Sequence, residues 1–287
     1  LDEAVLFEEL GRALFPGPYF SSVGLALPAL ADHGEVLDQL SSGDLAVTLA
    51  PSGDLRASGS GDGVTLDGTA DLVPDLGICN AVVVAASHAD GEGLWLVSTA
   101  DDGVASKTLG TMDATRRLGR LTLSGAGART LIEPGGAGGV LGRIALRAGA
   151  AAALEAVGIA QKALDLALQH TKTREQFGKP IGSYQAVSHQ VADTYMDVEL
   201  SRSLAYWAAW CVAENDEKVN VAVPAAKSAA TESAVRACER SIQVHGGIGF
   251  TWEHILHRLY KRAQWLDSFH GYGYVQRAAV AASLLGS

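Results

Sequence analysis

The stretch TKTREQFGKPIGSYQAVSHQVAD, from Thr171 to Asp193, sets an arginine, an aromatic, a Gly-Lys-Pro turn and a glutamine between two Ala-rich helical segments. Arg174 can grip a phosphate through two parallel charge-assisted hydrogen bonds, and Phe177 beside it can cover a flat ring. The same residues also read as a plain helix C-terminus with a favourable cation and a Gly-Lys-Pro stop. A second cluster, QVHGGIGFTWEH from Gln243 to His254, joins two further helical segments. Its paired Gly246 and Gly247 permit positive φ and let a ligand or another backbone come close, and Thr251 with Glu253 makes a sound helix start. It reads equally as an ordinary inter-helix loop. His254 and His257 stand one turn apart, a metal-like spacing, and read as core or surface histidines. No GxSxG elbow, Walker loop, HExxH pair or dinucleotide fingerprint is present.

The elements that must position these clusters follow from periodicity. Leu6, Leu10 and Leu14 recur at four-residue spacing until Phe15-Pro-Gly-Pro18 breaks the helix, and a second helix is expected from Ser21 to Ala31. Between Gly43 and about Gly139 the chain turns to short apolar runs such as DLAVTLA, NAVVVAAS and GLWLVST, punctuated by Gly-Asp and Asp-Gly pairs, which predicts an antiparallel β unit with hairpins. GSGDGV (Gly59 to Val64) reads as a hairpin turn rather than a phosphate cradle, since no helical pattern opens after it. From about Gly142 to Leu285 helix returns. After a first long helix that carries IALRAGAAAALEAVGIAQKALDLALQHTK, three more are expected at about Gly182 to Ala213, Val221 to His245 and Thr251 to Ala282. The predicted class is α+β: a helical region at 1–42, a middle β domain at 43–139 and a C-terminal four-helix bundle at 140–287.

A chain of 287 residues can bury a substantial core, and its net charge of −10 without any long basic run argues against a nucleic-acid surface. Cys79, Cys211 and Cys238 form no CxxC pair and are odd in number, which points to a reducing compartment and so to the cytoplasm. No stretch reads as membrane-spanning or as a signal peptide. A chain that begins at Leu1 is expected to lack an N-terminal piece.

The two clusters, in this order and at helix ends, resemble the acyl-CoA dehydrogenase family, whose members carry segments like RxQFGKPIGxxQ and QxxGGxGYxxE. The first is matched by Arg174, Gln176, Phe177, Gly178, Lys179, Pro180, Ile181, Gly182 and Gln185. The second is matched by Gln243, Gly246, Gly247, Gly249, Phe250 and Glu253, with Phe for Tyr. The resemblance implies an oligomer with FAD held across a subunit interface. Arg174, Phe177, Gln185, Gln243, Gly246 and Gly247 would then bind the flavin's pyrophosphate and adenosine, largely for a neighbouring subunit. It also implies an acyl-CoA substrate, with electron-transferring flavoprotein as the acceptor.

Departures from the family pattern carry as much information. Family chemistry needs a carboxylate to take the α-proton of an acyl thioester while the β-hydride passes to the flavin. Aligning YKRAQWLDSFHGYGYVQR (Tyr260 to Arg277) on the family's YRDAR…IYEGTSEIQR segment puts His270 where the usual Glu stands, and the alternative site on the first bundle helix falls on Ala148. TLAPSGDL (Thr48 to Leu55) and DLVPDLGICNA (Asp71 to Ala81) stand where flavin-ring and thioester contacts are expected, with most signature residues gone. The N-terminal helical region also looks short. These features imply one subunit of a heteromeric α2β2 enzyme, of the kind that degrades steroid side chains in actinobacteria, with the carboxylate supplied by a homologous partner. The alternatives are a self-sufficient enzyme with His270 as base, and a flavin-free structural subunit.

Overall fold

The computed structural model describes residues 1–51 and 54–286, apart from the side chain of Asp62. Ser52 and Gly53 of the TLAPSGDL segment lie outside the described residues. The chain opens with helix α1 (Asp2–Arg12), whose acidic first turn and basic last turn complement the helix dipole. Its inward stripe is Ala4, Phe7 and Gly11, continued by Leu14, while Leu6 is exposed. The four-residue leucine spacing thus misjudged the buried face. A 3–4 alternation wins, because only that keeps successive residues on one side of a 3.6-residue turn. A π-helix, Phe20–Ala26, leads into α2 (Leu27–Leu30), and α3 (Gly34–Ser42) ends at the left-handed Gly43.

Eight strands follow: β1 (Val47–Ala50), β2 (Arg56–Ser58), β3 (Thr65–Pro74), β4 (Ala81–His88), β5 (Gly91–Ser98), β6 (Val104–Leu109), β7 (Leu118–Gly127) and β8 (Arg129–Ile132). They form one sheet in the order β6-β7-β3-β2-β4-β5-β8, with β1 beside β4. The sheet is mixed rather than wholly antiparallel. β1 pairs with β4 in parallel from Val47↔Ala81 to Ala50↔Val84, and β2 meets β4 in parallel at Arg56↔Ser87. Turn signals mark hairpins but not crossovers, so the return of β4 to the β1 edge left no local trace. The expected hairpin at Gly59–Val64 is present: β2 and β3 are antiparallel across a 3-10 turn at Gly61–Gly63. Residues 81–86 of β4 are all buried, which explains why NAVVVAAS reads as a run and not an alternation.

The remaining elements are α4 (Ala137–Thr173), the two-residue strands β9 (Glu175–Gln176) and β10 (Lys179–Pro180), and the helices α5 (Gln185–Glu214), α6 (Val219–His245), α7 (Leu256–Ser268) and α8 (Gly273–Leu285). The single helix expected from Thr251 to Ala282 is therefore two. It breaks where His270 (φ 53°) and Gly271 (φ 94°) turn left-handed, a backbone that no α-helix continues through. The chain divides into two compact units, residues 16–148 and residues 1–15 with 149 onward. Among the described residues no helix is long and apolar enough to cross a membrane.

In the second of these units α1 and α4 meet at glycines. A Cβ on Gly158 would stand 1.9 Å from the Glu8 carbonyl oxygen, and one on Gly11 would stand 2.1 Å from the Glu155 carbonyl oxygen. Both contacts are backbone, so neither can swing aside. Gly158→Ala is expected to cost about 2 kcal/mol, seen as a lowered Tm in calorimetry. Gly142→Ala, where the added Cβ meets open space, is expected to be neutral or stabilising.

Candidate functional site

Arg174 follows the last turn of α4, with its N–H donated to the His170 carbonyl at 2.9 Å. Its own carbonyl accepts the Ile181 N–H at 2.8 Å, which closes a short hairpin. Gln176 pairs with Lys179, and Phe177 (φ 54°) and Gly178 (φ 78°) make the turn, the two positive φ values that a tight I′ hairpin needs. A phenylalanine in that region is strained, and here its ring is 94% exposed. Tyr184 braces the hairpin: its hydroxyl donates to the Gln176 carbonyl at 3.0 Å, its ring meets Phe177 edge-on at 6.5 Å, and Lys179 Nζ lies 4.3 Å over it. The Arg174 side chain is exposed, and Gln185 opens α5, also exposed. The Gly-Lys-Pro segment is thus a braced hairpin rather than a helix stop.

The second cluster closes α6. Gln243 is exposed in its last turn. Gly246 (φ 64°, ψ −137°) caps the helix with its N–H on the Gln243 and Ile242 carbonyls, in a backbone region open only to glycine. Cβ atoms on Gly246 and Gly247 would meet nothing within 4 Å, whereas one on Gly249 would stand 2.6 Å from the Ile242 carbonyl oxygen. Gly249 is therefore a packing glycine, and Gly246 and Gly247 leave an open surface that a ligand can approach.

Three histidine rings join the two clusters. His245 at the end of α6 stacks on His170 of α4 at 4.3 Å and meets the ring of His254, tilted by 52°, at 4.5 Å. Burial, then the neighbouring His245, Arg174 and His254, hold His170 below its ordinary pKa; burial and His245 do the same to His254. His257 instead stands against Trp252 at 4.7 Å. The one-turn pair therefore points its rings at different neighbours, and among the described residues no group of three or more His, Cys, Asp or Glu could hold a metal ion.

His270 lies in the turn between α7 and α8, stacked on Phe269 at 4.2 Å, which in turn stacks on Trp265 at 4.8 Å. α6 clamps this turn: Lys227 Nζ donates to the Gly271 carbonyl at 2.7 Å, and Thr231 Oγ1 donates to Asp267 Oδ1 at 2.8 Å. Gln276 Nε2 donates to the His270 carbonyl at 2.7 Å. Burial pushes the Lys227 ammonium down to about 8 against the opposing pull of Asp267. Although the His270 side chain is exposed, partial desolvation first and Lys227 second hold its pKa below the ordinary value. Ala148 is buried in α4 and offers only a methyl group. Neither of the two positions where the resemblance would place a base, His270 and Ala148, is a carboxylate.

In the other unit, Thr48 and Asp75, from the two segments where ring-side contacts were expected, turn their polar groups inward, while Asp54, Asp71 and Asn80 are exposed. Thr48 Oγ1 donates to the Pro74 carbonyl at 2.5 Å. Asp75 is 1% exposed, accepts Ser21 Oγ at 2.5 Å and faces Arg116 at 3.7 Å. Sequence reasoning missed this buried pair, Lys227 and the histidine cluster, since most of their members lie about 40 to 85 residues apart in the chain and no spacing rule links them.

Helical, sheet and helical segments in this order, with the two clusters at helix ends, define an acyl-CoA dehydrogenase: the C-terminal domain family of that name matches residues 143–285, and the chain belongs to the acyl-CoA dehydrogenase family, FAD-dependent oxidoreductases. It is 32% identical to acyl-CoA dehydrogenase FadE27 of Mycobacterium tuberculosis over 282 residues, covering 92% of this chain and 75% of that protein. Its structure resembles that of the ChsE4-ChsE5 complex from Mycobacterium tuberculosis with a TM-score of 0.90 at 30% identity, covering 99% of this chain and 80% of that one. It also resembles a Tcur3481-Tcur3483 steroid acyl-CoA dehydrogenase variant with a TM-score of 0.86 at 30% identity, covering 99% and 81%.

Arg174 is exposed and the Gly246-Gly247 backbone is open, a charge and a Cβ-free surface whose chemistry would suit the pyrophosphate of FAD, the group this family binds.

Proposed function

We propose that this chain is one subunit of a cytoplasmic α2β2 acyl-CoA dehydrogenase and completes a flavin site without supplying the catalytic carboxylate. The observation that carries this reading is the pairing of an open, exposed Arg174, Gly246 and Gly247 set with base positions occupied by His270 and Ala148. Arg174 would neutralise the pyrophosphate, Gly246 and Gly247 would let it approach their backbone, Phe177 would cover the adenosine side, and Gln185 and Gln243 would supply hydrogen bonds. Bound there, FAD supplies the hydride acceptor for α,β-dehydrogenation of an acyl-CoA thioester. The α-proton would go to a carboxylate of a homologous partner, and electrons would leave to electron-transferring flavoprotein. The likeness to a steroid acyl-CoA dehydrogenase favours a steroid side-chain thioester as substrate.

A self-sufficient enzyme with His270 as base is the second reading, favoured by the neutral imidazole. Proton abstraction would, however, leave an imidazolium beside the Lys227 ammonium, which the same charge disfavours. In the mixed complex His270→Ala is expected to change kcat less than about threefold. A loss of about 100-fold or more, with flavin still bound, would make His270 the base.

A further inference from the structure

His254 is held neutral by its geometry. Its Nδ1 accepts the Leu256 N–H at 3.3 Å, so the proton of the neutral ring sits on Nε2, and the ring stands at the positive end of α7. An imidazolium has no acceptor nitrogen, so a proton on Nδ1 both breaks that bond and places a cation where the helix dipole opposes it. From α6 it faces His245, whose Nδ1 is engaged with the Ser241 carbonyl at 2.7 Å. Beyond that ring stand His170 and Arg174 from the end of α4. On its own segment Glu253 is exposed and hydrogen-bonded to Thr251, and His257 turns to Trp252.

We propose that the His170–His245–His254 stack is a proton-sensitive latch with His254 as its sensor: neutral, it fixes the loop of residues 246–255 against the end of α4, and protonated, it releases that loop. The three rings are positioning residues for the two clusters. The role for the cofactor rests on the assignment of Arg174, Gly246 and Gly247 made above. The closed state lowers the His254 pKa below its ordinary value of about 6.5, so the open state binds protons more tightly. The closed latch is thus fully favoured above that value. It is progressively lost as pH falls towards the closed-state pKa, below which the loss levels off.

The test is hydrogen exchange of the full chain at pH 5.5 to 8, corrected for intrinsic exchange and read on peptides spanning residues 246–258. Wild type is expected to open severalfold more at pH 5.5 than at pH 7, up to about eightfold, the most that one proton linked to an open-state pKa of about 6.5 can give over that range. His254→Asn, which keeps an acceptor and cannot titrate, is expected to show no such rise. A flat wild-type profile, or an equal rise in His254→Asn, would overturn the latch. Flavin retention in the same samples separates the two claims. Proton-driven opening in a chain that never holds flavin, alone or with a partner, would leave the latch standing and remove the cofactor reading.

Discussion

Replacing Glu155 with alanine is expected to lower the stability of the chain by roughly 3–5 kcal/mol, the largest effect of any single change considered for the fold. Glu155 on α4 accepts from Arg262 Nη1 on α7, and the two are 3% and 0% exposed. Their attraction in a low-dielectric interior offsets the desolvation of each, so removal of one leaves the other charged and buried. Thermal unfolding would fall by on the order of 10 °C. The pairing itself contributes far less than this loss suggests. The double replacement Glu155→Leu, Arg262→Met is therefore expected to recover most of the stability, and a double change no more stable than Glu155→Ala would show that the pair does more than neutralise itself.

Arg174→Leu acts just past the C-terminal end of α4 and on binding instead of folding. The side chain is exposed, so its loss is expected to leave the melting temperature of the flavin-free chain unchanged. Two charge-assisted hydrogen bonds to a pyrophosphate are worth enough that flavin affinity of the complex falls roughly 10- to 100-fold. Arg174→Lys keeps the charge but not the planar fork, and restores only part of it. Titration of the apo-complex with FAD, followed by flavin fluorescence, reads both. Unchanged affinity in Arg174→Leu would remove the arginine from the site.

The sequence made the helix, sheet, helix order plain, because the period of apolar residues changes at Gly43 and again near Gly142. The Arg174 and Gly246 clusters were legible too, since each is contiguous in the chain and uses residue types with few other purposes together. Four features were not legible. The parallel placement of β1 beside β4 depends on a crossover that leaves no turn signal. The break at His270 lay inside an apolar pattern that continues on both sides, and only Gly271 and Gly273 hinted at it. The stack of His170, His245 and His254 joins residues up to about eighty positions apart, a distance only tertiary packing can bridge. The buried Asp75–Arg116 pair has the same character, and it ties down a segment whose hydrophobic pattern alone reads as an ordinary strand end.

The claim that this chain completes a shared flavin site is tested most directly by counting flavin per chain. Absorbance and native mass would be measured on the protein purified alone and on the protein co-purified with its homologous partner. The expected result is roughly one flavin per two chains, present only in the mixed complex, with acyl-CoA oxidation confined to that complex. A homo-oligomer of this chain that holds about one flavin per chain and oxidises acyl-CoA unaided would contradict it.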